Sequence, residues 1–194
     1  MHNFNQVHEP GAAVTNWTNE VMTTNHQAAD HHSSAADHHA QAARHHREAS
    51  RHYQVGKDYA HAAHQAWLAH GRALQATDRG NEARRYYVTH HGKAARNCPE
   101  PVLICAPISL EAANAMPAEL NAARHHTDAA DHHDQAAQHH GQASEHFDKK
   151  EYASAALEAQ IALGHAQHAL FNGNEAAKLN VEQLGEVALL VAAE

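Results

Sequence analysis

Pairs of alanine recur every seven residues in two stretches of the chain: Ala28 and Ala29, Ala35 and Ala36, Ala42 and Ala43, then Ala122 and Ala123, Ala129 and Ala130, Ala136 and Ala137. Seven residues make two helical turns, so a residue class repeated at that interval keeps to one side of a helix. Opposite the alanines lie Asp30, Asp37, Arg44 and Arg51 in the first stretch and Arg124, Asp131, Gln138 and Glu145 in the second. These form the polar back of an amphipathic helix whose front is alanine. Val14 and Val21 continue the Ala28 stripe, so the first helix is predicted to begin before Asn25 and end near Tyr53, and its counterpart to end near Phe147. Short turns follow through Gly56, Lys57 and Asp58, or through Lys149 and Lys150. Second helices are then predicted, with Tyr59, Ala62, Ala63, Ala66, His70 and Ala73 sharing one face, matched by Tyr152, Ala155, Ala156, Ala159, Leu163 and Ala166. The Gly-Asn pairs at 80–81 and 173–174 are expected to break the chain before a short third helix, capped by Asn81 or Asn174.

The two stretches belong to one duplication. At an offset of 94, Ala12 meets Ala106, Val14 meets Ile108 and Met22 meets Met116. After a one-residue deletion, at an offset of 93, Tyr59 meets Tyr152, Gly71 meets Gly164, and Gly80-Asn81-Glu82-Ala83 meets Gly173-Asn174-Glu175-Ala176. The chain reads as two helical-hairpin repeats, 1–94 and 95–194, with a linker at 97–107 that holds three of the five prolines. Two such hairpins are expected to form one all-α domain, a four-helix bundle with short extra helices and an approximate internal two-fold axis.

Composition narrows the core and the partners. Aromatics are 5% of the chain, and much of its 43% hydrophobic content is alanine, so close helix approach must replace large interlocking side chains. The formal charge of −8 with histidine neutral argues against nucleic acid as a partner, and no stretch approaches a membrane span. Cys98 and Cys105 are no disulfide framework for 194 residues and read as two thiols or one local disulfide. With no leader pattern after Met1, the expected location is the cytoplasm.

The chemistry lies in 24 histidines. His31 and His32, His38 and His39, His45 and His46 alternate with the alanine pairs, as do His125 and His126, His132 and His133, His139 and His140; His52 and His146 extend the series. They share the alanine side of the helix, so imidazoles are predicted to point inward in layers. Successive layers of one stripe are about 10.5 Å apart, too far to share an ion, so ligand sets must combine helices. On the second helices, His61 with His64 and His165 with His168 have the i, i+3 spacing that converges on one ion, and His70 lies further along. If these helices pack antiparallel about Leu68, the two pairs are expected to meet as a four-imidazole cluster.

Neutral imidazole binds Zn(II), Cu(II), Ni(II) and Co(II), and ligand sets of neutral nitrogen load and release metal with pH. Neither Glu-x-x-His nor HExxH occurs, and no nucleotide loop or nucleophile elbow is present, so no enzyme is expected. The reading is a non-catalytic metal storage or buffering protein, with zinc first and copper, nickel or cobalt as alternatives, acting as a monomer with an internal two-fold or as a homodimer. Two other readings stand beside it. One is a helical scaffold whose histidine core responds to pH. The other is a tetratricopeptide-like interaction module, which Gly56-x-x-Tyr59-x-x-Ala62 locally resembles. The run AAxHHxxAAxHHxxASxHY, the turn and the Tyr-Ala helix start resemble small His-rich bacterial proteins of unassigned function over residues 28–75 and 122–168. That resemblance implies a shared fold unit.

Overall fold

The computed structural model describes the backbone of residues 11–56, 58–95 and 118–191, and side chains of residues 23, 26–56, 58–89 and 120–182. The linker at 97–107, both cysteines, His2 and His8 lie outside the described residues, as do the side chains of Val14, Val21, His90 and His91. Among the described residues four helices follow one another: α1 Gly11–Val55, α2 Tyr59–Ala95, α3 Ala118–Asp148 and α4 Tyr152–Val191. Among the described residues there is no strand, and no helix is long and apolar enough to cross a membrane.

Each hairpin turns through a left-handed residue. Gly56 has φ 66° and its amide donates to the Tyr53 carbonyl at 3.1 Å. Asp58, at φ 57°, accepts from the His61 amide on Oδ1 at 3.1 Å and so caps α2. In the second hairpin Lys150 has φ 63°; its amide reaches the Phe147 carbonyl at 3.0 Å, and the Glu151 amide reaches the His146 carbonyl at 2.8 Å. This is a Schellman cap with lysine at the position glycine usually takes. Lys150 is therefore the structural counterpart of Gly56, and the one-residue deletion between the copies follows it.

The helices form an all-α bundle in which α1 packs along α2 and α3, and α3 along α1 and α4, while α2 and α4 meet less extensively. Alanine permits this. Ala35, Ala42, Ala43, Ala62, Ala69, Ala129, Ala130, Ala155 and Ala162 are fully buried. Contacts between α1 and α3 show an antiparallel crossing, because His32 meets His140, His39 meets His133 and His46 meets His126. Under the offset of 94, His39 and His133 are equivalents, so the internal two-fold passes between them. Two hydroxyls repeat that symmetry: Ser50 Oγ donates to the Ala123 carbonyl and Ser144 Oγ to the Ala29 carbonyl, both at 2.9 Å.

Among the described residues no separate third helix follows Gly80 or Gly173. α2 runs unbroken through Gly80 and Asn81, and α4 through Gly173 and Asn174, so neither asparagine caps a helix. The glycines serve packing instead. A Cβ on Gly80 would stand 3.1 Å from His140 Cε1, and one on Gly173 would stand 3.3 Å from His46 Cε1. His140 and His46 are two-fold equivalents, and each imidazole fits against α2 or α4 where a side chain is missing. The tetratricopeptide-like reading is also set aside, because α1 alone is 45 residues long and one such repeat, both helices included, takes about 34.

Candidate metal centre and imidazole core

The two histidines of each heptad part company. The second members, His32, His39, His46, His126, His133 and His140, are buried between α1 and α3. Their Nδ1 atoms meet in pairs at 3.0 Å, 3.0 Å and 3.1 Å, for His32 with His140, His39 with His133 and His46 with His126. Between pairs the rings stack, His140 on His39 with centroids 5.6 Å apart and His133 on His46 at 5.5 Å. Phe147 closes one end on His32 at 5.4 Å and Tyr53 closes the other on His126 at 5.4 Å. The result is one column of eight rings, capped by a symmetry-related aromatic at each end.

A neutral imidazole has one N–H and one bare nitrogen, so in every pair one Nδ1 donates and the other accepts. The two partners must hold opposite tautomers. At the centre, Nε2 of His39 and of His133 is buried with no hydrogen-bond partner. Burial holds the rings neutral, assisted in several by neighbouring imidazoles. It lowers His32 to about 3, His39 to about 2, and His126, His133 and His140 to about 4, and takes His46 well below the ordinary value.

The first members line the seams between each first helix and its second. His31 lies 3.1 Å from Glu82 and stacks on Tyr86, and His125 bonds Asn172 at 3.0 Å. His45 donates to Gln65 Oε1 at 2.7 Å, and the equivalent His139 donates to Glu158 at 2.7 Å. His132 and His165 meet through Nδ1 at 3.3 Å. His38 Nδ1, the counterpart of that His132 atom, is buried without a partner. At the hairpin ends, His146 donates to Glu151 at 2.6 Å.

Among the described residues, one group has its ligand atoms gathered for an ion: Glu48, His52 and His61 each offer an atom within 4.8 Å of the others. The arrangement follows from sequence spacing and the turn. Glu48 and His52 are one helical turn apart on α1, with His52 Nε2 3.4 Å from the carboxylate. His61, in the first turn of α2, is brought over His52 by the short loop, with ring centroids 4.4 Å apart. Gln65 Nε2 lies 3.2 Å from His61 Nε2 and donates to it, which marks that ring nitrogen as the bare one, the form that binds a metal. The half-buried setting leaves the group reachable by ions. Sequence reasoning singled out His52 and His61 and missed Glu48, although its place four residues before His52 was legible; it also missed the seam partners Gln65, Glu82, Glu151 and Glu158.

The expected cluster of His61, His64, His165 and His168 is not formed. Each second helix packs on its own first helix, so His61 turns to α1 and His165 to α3. His64 is exposed beside Trp67, and His168 stacks on His132 at 5.0 Å. Where α2 and α4 part, a cavity of about 250 Å³ has His46, Tyr53 and His126 among its lining, with Trp67 and the exposed His70. The core column thus has an opening beside a histidine.

The buried imidazole pairs and the Glu48, His52 and His61 group are together compatible with metal binding. No protein-family model, no curated protein and no solved structure matches this chain.

Proposed function

We propose that the protein binds transition-metal ions in the seams between its helices and stores or buffers them without catalysing a reaction, with zinc first and copper, nickel or cobalt as alternatives. The gathering of Glu48, His52 and His61 within 4.8 Å carries this reading. Two imidazoles and one carboxylate suit a borderline divalent cation. Protons compete for the same nitrogens, so acidification releases the metal, as a buffer requires.

The copies themselves supply the test. Under the duplication, Gln142 stands for Glu48 and Ser154 for His61. Protein purified without a histidine tag is expected to bind at least one zinc ion per chain at neutral pH, and Glu48→Gln with His61→Ser to remove one. Equilibrium titration followed by elemental analysis checks both, and less than one ion per chain argues against storage.

A second reading has its own observation: the dry, paired imidazoles of the core favour a scaffold that opens on acidification. It predicts the same acid transition with and without metal, whereas the storage reading predicts that metal moves the transition to lower pH.

A further inference from the structure

The two halves are related by symmetry, yet their seams differ in chemistry. In the α3 and α4 seam His132 and His165 meet through Nδ1 at 3.3 Å, His168 stacks on His132 with centroids 5.0 Å apart, and His139 stacks on His165 at 5.5 Å. In the α1 and α2 seam the residues equivalent to His165 and His168 are Arg72 and Gln75, and His38 is left with a buried Nδ1 that has no hydrogen-bond partner. A guanidinium there repels a cation, whereas four imidazoles invite one.

The seam pair and the core pairs are all close enough to hydrogen-bond, at 3.3 Å and at 3.0 to 3.1 Å. Two nitrogens on one tetrahedral zinc, with bonds of about 2.0 to 2.1 Å, stand about 3.3 Å apart, which is the separation of His132 and His165. Charge separates the seam from the core column. A divalent ion in the buried column would lack compensation, while the seam holds the Glu158 carboxylate on His139 at 2.7 Å. Glu158 also fixes the proton of His139 on Nδ1 and leaves Nε2 bare, as a carboxylate does behind a metal-bound histidine.

The rings of His168 and His139 stack on the His132 and His165 pair, and their nitrogens are not gathered as those of the Glu48 group are. We propose that His132 and His165, joined on binding by side-chain rotation of His168 and His139, form a second, all-nitrogen site for a divalent transition-metal ion in the repeat opposite the Glu48 group. It rests on the metal-binding reading for its class of ligand but shares no residue with that first group. All-imidazole ligation suits Zn(II), Cu(II), Ni(II) and Co(II) and leaves calcium and magnesium to oxygen sites.

The first copy provides residues already accommodated at these positions. His165→Arg with His168→Gln gives α4 the residues of α2, and the full chain so altered is expected to bind one Co(II) ion fewer in equilibrium titration, with loss of the tetrahedral cobalt absorption this site contributes. Glu48→Gln with His61→Ser is expected to remove a different ion, and all four changes together to remove both. The converse variant, Arg72→His with Gln75→His, offers His38 its missing partners and is expected to gain one ion. An unchanged cobalt count in the His165 and His168 variant overturns the proposal, as does an unchanged count in the converse variant should the first fail to fold. If only the Glu48 and His61 variant keeps its full count, the first group is wrong and this site stands; if both variants keep it, both fall.

Discussion

Glycine and histidine act as a pair at the residue scale. Gly80 and Gly173 carry no side chain because His140 and His46 occupy that space, whereas Gly71, an exposed helical position, has nothing within 4 Å of an added Cβ. The same substitution therefore has opposite effects at two places on α2. Gly80→Ala forces the buried His140 ring to shift and is expected to cost about 1 to 3 kcal/mol, while Gly71→Ala is expected to add about 0.5 to 1 kcal/mol through helix propensity. Urea unfolding of the two variants checks this, and equal midpoints would show that Gly80 makes no room for the ring. Sequence alone read Gly80-Asn81 as a break because glycine and asparagine do mark helix ends. The space that glycine vacates is filled from a helix some 60 residues away, which no local pattern reports.

Among the elements, the duplication was the strongest signal. The seven-residue alanine repeat, the charged back and the match at offsets of 94 and 93 made two helical hairpins legible, with the first helices ending within two residues of the predicted places. Less legible was how each hairpin turns. Lys150 occupies the left-handed position that Gly56 occupies in the other copy, and a side chain there is strained by roughly 1 kcal/mol. Lys150→Gly is expected to raise stability by about 1 kcal/mol without altering metal stoichiometry, measurable as a higher urea midpoint at unchanged slope. The second helices were misjudged for a different reason. His61, His64, His165 and His168 have ligand spacing within their own helices, but spacing does not specify which neighbour a helix packs against, and α2 and α4 face their first helices more than each other.

For the whole molecule, the core column ties stability to pH. His32, His39, His46, His126, His133 and His140 are all held neutral in the folded chain by burial, while the unfolded chain takes up a proton at each below about pH 6.5. Because the folded values are depressed, their contribution is fully present above that pH and is lost as the pH falls. Each costs the fold about 1.4 kcal/mol per pH unit in that range, so the six together remove about 8 kcal/mol by pH 5.5. Typical domains have roughly 5 to 15 kcal/mol in all, so the metal-free chain is expected to unfold cooperatively between about pH 6 and pH 5. Far-ultraviolet circular dichroism in the presence of a chelator follows this directly, and a helical signal retained at pH 4 would mean that the column accepts protons without opening. The sequence by itself determined the first helix of each copy, the duplication and the side on which histidine lies, because a heptad period, a charged stripe and an internal repeat are local or self-referential properties of a chain. Only the tertiary structure decided that one histidine of each pair stacks in a buried column while the other faces a seam, where all but His38 meet a carboxylate, an amide or another imidazole. Those environments depend on the antiparallel register of α1 against α3 and on which helix covers each seam, both set by packing between residues remote in sequence.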